Sequence, residues 1–307
     1  MWACRLFALL LAVFSCNVVL AQDLEPRRWT HLPLGLNVLG TGAGWTTGDI
    51  TLDPVLHIDE GEVEMYTLAA SYIRSFEFLG KSSRIDVRLP YANARWQGVR
   101  DGVMVHTRRH GFMDPRIRFA MDLYGAPPLR GQEYMTYVGS HPVNTIVGVA
   151  LSVSPPWGEY YPDRLINLGY NRWVVRPQLG VLHQRGPWQF ELTGTVSFYG
   201  DNDEFFGGTD LQQDPLGFIE GHVIRTFARG RWASFSAGYT YGGESEINGN
   251  PTHNDDRTRY WAVSFGMPIS RTQSVKIAYL NADTNVLIGQ STDSILLSWS
   301  MNWTDKP

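Results

Sequence analysis

Segments of about ten residues with alternating apolar and polar side chains constrain this chain most, because a period of two suits strands with one face in lipid and the other in water. The clearest segment runs from Trp188 to Tyr199. Trp188, Phe190, Leu192, Gly194, Val196 and Phe198 point one way, while Gln189, Glu191, Thr193, Thr195, Ser197 and Tyr199 point the other. Arg84-Ile85-Asp86-Val87-Arg88-Leu89 and the stretch Arg116 to Leu123 set charges between aliphatics in the same rhythm. A helix would smear those charges around its circumference. Looser alternation covers Leu34 to Thr46, Val63 to Phe78, Asn144 to Ser154, Asn171 to Gln184, Phe218 to Ala228, Trp232 to Tyr241, Thr258 to Met267, Gln273 to Ala282 and Thr292 to Trp303. The pattern predicts an all-β fold, a single antiparallel transmembrane β-barrel of about twelve strands.

The start of the chain fits export. Met1 to Arg5 carries one positive charge, an apolar run from Leu6 to Leu20 follows, and Val19-Leu20-Ala21 precedes the polar Gln22-Asp23. This is the order of a secretory signal peptide cleaved after Ala21, leaving 22–307 as the barrel. A lipoprotein-like box at Val13-Phe14-Ser15-Cys16 has a bulky Phe14 where a small residue belongs. Cys4 and Cys16 are the only cysteines, both inside the expected leader, so the mature chain offers no disulfide or thiolate site. After Leu20 the longest apolar stretch, Ile146 to Leu151, is far too short for a spanning helix. Charged residues make up 18% of the chain, against about 25% in soluble proteins. No basic tract points to nucleic acid, and the net charge of −4 selects no partner.

The connections fall into two lengths. Gly80 to Ser83, Arg185 to Pro187, Gly230-Arg231 and Pro268 to Thr272 are short, whereas Gln97 to Asp114, Pro155 to Tyr170, Gly200 to Gly217 and Gly242 to Asp256 are long and rich in Gly, Asp and Asn. Short periplasmic turns alternating with long outer loops is the outer-membrane plan, and an even strand number puts both termini in the periplasm. Gly125 to Pro142 breaks the rule by being long, with a helical turn expected around Gln132 to Val138. Aromatics near strand ends, among them Trp45, Tyr91, Trp96, Trp173, Trp188, Tyr199, Tyr241, Tyr260, Trp261 and Trp303, are expected to form interfacial girdles.

The chain also resembles the outer-membrane family named for the MetA pathway of phenol degradation. The matching motifs are Asp86 to Tyr91, Gly111 to Pro115, Gly125-Ala126-Pro127, Asn167 to Trp173, Arg176 to Gly180, Gln213 to Leu216, Gly221-His222 and Tyr241 to Glu244, in this order through nearly the whole mature chain. The resemblance implies a membrane β-barrel acting in transport and carries over no catalytic or binding residues.

Other groups of residues point to chemistry less well than to structure. His106 and His110 have metal-binding helical spacing, but they lie in an expected loop with no zinc-protease glutamate. Gly40 to Gly44 lacks the helix that a phosphate loop requires and reads as a bent strand. Asp201 to Glu204 and Asn254 to Asp256 offer oxygen ligands without the calcium-loop spacing. No serine sits in a nucleophile elbow, and His222 reads as a wall residue. No enzyme activity, cofactor or metal is expected, an outer-membrane lipid hydrolase being the alternative that a Ser/His/acid cluster would favour.

If the aliphatics of the charged strands face lipid, their charges face the lumen, since a lipid-facing charge at the midplane costs about 2 to 4 kcal/mol. The lumen-lining candidates are therefore Arg84, Asp86, Arg88, Arg116, Arg118, Arg176, Gln178, Glu191, Arg225 and Lys276. The reading is a Gram-negative outer-membrane channel or binding barrel for passive uptake of small aromatic or anionic solutes. The expected partners are outer-membrane lipid and lipopolysaccharide, the barrel assembly machinery and the solute. A closed barrel with a structural or loop-binding role is the alternative, and the sequence leaves solute, oligomeric state and lumen width open.

Overall fold

The computed structural model describes residues 24–51, 58–100, 103–284 and 289–305. The expected leader, with Cys4 and Cys16, lies outside the described residues. In chain order the strands are β1 Leu36–Thr51, β2 Ile58–Phe78, β3 Lys81–Arg100, β4 Val103–Phe112, β5 Arg116–Tyr124, β6 Val143–Ser154, β7 Val174–Arg185, β8 Trp188–Tyr199 and β9 Asn202–Phe205. They continue as β10 Thr209–Gln213, β11 Leu216–Thr226, β12 Trp232–Gly242, β13 Ser245–Ile247, β14 Asn250–Pro251, β15 Thr258–Pro268, β16 Gln273–Thr284 and β17 Gly289–Thr304. One ten-residue helix, α1 (Gly131–Ser140), stands between β5 and β6.

The large sheet runs β2-β1-β17-β16-β15-β12-β11-β8-β7-β6-β5-β3, and the β2–β3 pairing closes it. The result is a closed antiparallel barrel of 12 strands. Closure leaves no unpaired edge, which is what lets a sheet cross a bilayer. On β8 exposure alternates at every step from Trp188 to Phe198, with the apolar residues outside and Gln189, Glu191, Thr193, Thr195 and Ser197 inside. Outward apolar residues recur around the barrel, as at Trp261, Val263, Phe265 and Met267 of β15. Trp173, Trp188, Tyr241, Trp261 and Trp303 are exposed near strand ends, as a girdle requires, while Trp45 is exposed within the length of β1. Trp96, Tyr199 and Tyr260 do not join it: Trp96 and Tyr260 are buried, and Tyr199 packs against the interior cluster of Leu24, Leu216 and Tyr260.

The structure corrects the expected loop from 97 to 114. This segment is the far end of β3 and the whole of β4, paired from Tyr91↔Phe112 to Arg100↔Val103. β4 and β5 share one flank of β3, with Met113-Asp114-Pro115 between them, so together they make a single barrel strand. Beyond the lipid the rule for which side is apolar inverts. Ala92, Ala94 and Trp96 turn inward onto Val63, Met65, Met113 and Leu168, whereas Arg95 is exposed and Asn93 lies on the same outer face. His106 and His110 accordingly sit exposed on a strand and not in a loop. Loops 200–215 and 243–257 are also structured, since β14-β13-β10-β9 form a small four-stranded sheet over this end.

Candidate functional site

Of the lumen candidates, Arg84, Asp86 and Arg88 on β3, Arg116 and Arg118 on β5, Arg176 and Gln178 on β7, Glu191 on β8 and Lys276 on β16 fall on the inward-facing alternation of their strands. Arg225 does not, and its expectation is corrected. On β11 it is Glu220, His222 and Ile224 that are buried, while Arg225 is exposed on the outer face. Its guanidinium lies 5.1 Å from the Trp188 ring centre and 5.3 Å from that of Phe227. Arg225 pairs with Trp188 at the short-turn end of both strands, where an outward charge costs only about 0–1 kcal/mol. The aromatic faces there also attract a cation.

Residues 24–35, which carry no barrel-strand pattern, run inside the barrel. Trp29 is 1% exposed. It is held by an indole Nε1–H donated to Thr193 Oγ1 at 2.9 Å and by its backbone N–H donated to Glu191 at 3.3 Å. The other oxygen of Glu191 accepts the backbone N–H of Arg27 at 2.7 Å. The indole fits because two adjacent, paired strands carry glycine at that level: a Cβ on Gly180 would lie 1.9 Å from the ring and one on Gly148 would lie 2.5 Å away. Leu24 packs on Leu216, Tyr260 and Leu280 across the lumen. The segment thus spans the interior as a plug.

The long connection between β5 and β6 now has a physical role, because it clasps this plug. Tyr134 of α1 donates its hydroxyl to the His31 carbonyl at 2.9 Å, and the His31 ring meets the Tyr134 and Tyr137 rings edge-on at 4.9 and 5.7 Å. His31 Nε2 is 2.8 Å from the Pro127 carbonyl, and the Leu34 N–H donates to the Leu129 carbonyl at 2.9 Å.

Charge fixes the other end of the plug. Glu25 meets Lys276 at 2.5 Å. Burial alone would raise the Glu25 carboxyl, but Lys276, with Arg88 and Arg28 beside it, outweighs burial and holds it at about 2. A carboxyl depressed below its ordinary 4.5 stabilises the docked segment above that pH and loses its contribution as pH falls toward 2. Single-channel conductance should therefore stay level from about pH 7 to pH 5 and rise near pH 3 as the plug loosens. In Glu25→Gln the acid step should vanish. A step of equal size in that variant would remove Glu25 as its cause.

Deeper charges are networked. Arg118 donates Nη1–H to Asp86 at 2.9 Å and Nε–H to Gln178 at 2.7 Å, and its guanidinium stands 5.0 Å from the Trp29 ring centre. Arg84 approaches Asp86 at 3.5 Å and donates to the Arg28 carbonyl of the plug.

One arrangement that the sequence did not reveal is a file of Ser236, His222 and Glu220. His222 Nδ1 is 2.7 Å from Ser236 Oγ, and Nε2 is 3.4 Å from Glu220 Oε2. These are the residue types of a hydrolase triad, yet His222 Nε2 and Glu220 Oε2 are each without a hydrogen-bond partner, so no bond to the acid orients the imidazole. Two of the loop oxygen ligands are engaged in structure: Asp256 accepts the hydroxyls of Thr240 and Thr258 at 2.7 Å each, and Asn254 accepts the Ser245 N–H at 2.8 Å. Among the described residues no group of three His, Cys, Asp or Glu gathers to hold a metal.

The family profile described as "Putative MetA-pathway of phenol degradation" matches residues 55–286, about three quarters of the chain. The chain belongs to that family. Among solved structures it is similar to the COG4313 outer membrane channel from Pseudomonas putida F1. That similarity has a TM-score of 0.74 at 17% identity, covering 91% of this chain and 99% of the other. It is also similar to the transport unit of the autotransporter AIDA-I from Escherichia coli, with a TM-score of 0.52 at 9% identity over 93% of this chain and 96% of that one. At these identities the likeness is one of fold, an outer-membrane barrel resembling channels. No curated protein matches the chain in sequence.

Proposed function

We propose that the chain is a passive, non-catalytic outer-membrane barrel for small solutes, whose lumen is narrowed by its own N-terminal segment. The observation that carries this reading is the pairing of an apolar outer wall with an interior of charged and hydroxyl side chains, which a purely structural barrel has no need to assemble. Burying charge without function costs several kcal/mol per ion, and six of the inward charges come from arginine, namely Arg84, Arg88, Arg116, Arg118, Arg172 and Arg176. The neighbour with the higher TM-score is an outer membrane channel, and the family name links its members to phenol degradation; both support small-solute passage. In this reading the long-loop end faces outside, the short turns and α1 face the periplasm, and residues 1–21 are a cleaved export signal. Lipopolysaccharide surrounds the outer rim, and the assembly machinery inserts the barrel.

The test is conductance of the refolded protein in a planar bilayer. Discrete, ohmic openings without an energy source support passage. A barrel that is folded, as judged by its heat-modifiable gel mobility, yet silent both as purified and after removal of residues 24–34, would refute it.

A further inference from the structure

Arg118, Ser152 and Arg176 occupy one lateral row of the inner wall. The register places Ser152 opposite Arg118 on one side and opposite Arg176 on the other. Neighbouring strands lie about 4.8 Å apart, so the three positions sit side by side on a stretch of inner wall about 10 Å wide. All three are buried, with exposures of 3%, 1% and 3%. Each retains a polar atom without a hydrogen-bond partner: Arg118 Nη2, Ser152 Oγ and Arg176 Nε. Just beyond the long-loop end of β7, Arg172 adds unpartnered Nε and Nη1 atoms, with its guanidinium 4.6 Å from the Tyr199 ring centre.

Buried donors left unpaired are costly, and so many of them in one place call for an acceptor. Two of the nearby acids are already engaged. Asp86 is taken by Arg84 and Arg118. Asp114 accepts the backbone N–H groups of Gly158 and Tyr170 at 2.8 Å each. The neighbouring wall changes character, because β11 contributes Leu216, packed with Tyr260 and Phe218 in an apolar cluster. The backbone of the row lies on the long-loop side of Trp29, Ser152 being four residues further along β6 than Gly148, about 13 Å, while the Arg118 guanidinium reaches back to the Trp29 ring.

We propose that Arg118, Ser152 and Arg176 seat the carboxylate of a small amphipathic organic acid whose apolar body rests against Leu216 and Phe218. This assignment of solute class rests on the reading of the barrel as a solute channel. The Nη2 amino group of Arg118, the Nε–H of Arg176 and the Ser152 hydroxyl fall within the acceptor capacity of a carboxylate. A neutral isostere of the same shape satisfies the hydroxyl but leaves the arginine charges uncompensated.

The experiment is equilibrium titration of the full-length refolded protein in detergent with benzoate, its neutral isostere benzamide, and acetate, which keeps the head and drops the body. Benzoate is expected to bind about tenfold or more tightly than benzamide, since losing a charged hydrogen bond is worth at least a factor of ten. Acetate should also be weaker than benzoate. Arg176→Gln and Ser152→Ala should weaken benzoate while leaving benzamide unchanged, and Arg225→Gln, which removes the same charge from the outer face, should change nothing. Equal affinity for benzoate and benzamide, no binding of either, or equal losses in Arg176→Gln and Arg225→Gln would overturn the site. Bilayer recordings on the same preparation separate the two claims. A barrel that conducts but neither binds nor is blocked by benzoate loses the site and keeps the channel. One that binds benzoate but never conducts keeps the site and loses the channel.

Discussion

Gly180→Val should open the barrel. The added side chain starts where the Trp29 indole now lies, with a Cβ 1.9 Å from the ring. The neighbouring strand offers no sideways retreat, because Gly148, paired with Gly180, lies under the same ring, where a Cβ would stand 2.5 Å away. Trp29 must leave, taking with it the bonds to Thr193 and Glu191 that pin residues 27 to 29 across the lumen. A twelve-stranded barrel is only moderately wider than the eight-stranded barrels that side chains fill, so displacing one indole should raise single-channel conductance several-fold. Trp29→Ala should reach the same conductance by deleting the indole and leaving the glycine cradle intact. The double variant should exceed neither, because both changes act on one contact. The strands themselves should survive, since position 180 keeps its ladder pairing with Gly148 and Thr193. Unchanged conductance in both single variants would mean that the narrowest point lies elsewhere, for instance at the apolar cluster of Val63, Met65, Trp96 and Leu168 at the long-loop end.

The barrel was legible because lipid and lumen impose opposite demands on successive residues, and strands such as Trp188–Tyr199 meet both throughout. Legibility ended where that solvent arrangement ended. Past Tyr91, β3 leaves the lipid and its outer face becomes polar while Ala92, Ala94 and Trp96 turn in, so the alternation persists with its sign reversed and resembles a loop. Arg225 departs from the charge rule because that rule holds at the midplane, whereas its partner Trp188 marks the interface. The plug left no periodic trace, as Leu24 to Gly35 neither alternates nor follows helical spacing. The available hint was the glycine at 148 and 180, two inward wall positions in registered strands with no side chain, which together imply a guest for that space. The helix α1 could be anticipated, but not its purpose, since its contacts are with residues a hundred positions away. The row of Arg118, Ser152 and Arg176 needed strand register, which one sequence does not supply.

Asp86→Ala should be the most destabilising single change to the inner wall. Asp86 is the carboxylate that both Arg84 and Arg118 reach, at 3.5 and 2.9 Å, and Arg118 is almost fully enclosed. Removing one partner of a buried pair strands the other, at a cost of about 3–5 kcal/mol. Asp86 keeps 23% side-chain exposure, so water softens the loss and the lower end, about 3 kcal/mol, is expected. The measurement is the urea midpoint of the heat-modifiable folded band. Asp86→Asn, which retains an acceptor, should fall between parent and alanine variant. Asp86→Ala combined with Arg118→Met should be more stable than Asp86→Ala alone, because it removes the stranded charge along with its partner. A double variant as unstable as the sum of its parts would show that packing and not charge holds this wall. The same substitution carries a functional consequence in the opposite direction: with Asp86 gone, Arg118 has one more N–H to offer, so the surviving barrels should bind benzoate more tightly than the parent does. On the channel reading Asp86 thus does two things at once, stabilising the wall and holding back one Arg118 N–H, which moderates solute binding, since tight binding in a passive channel would stop passage.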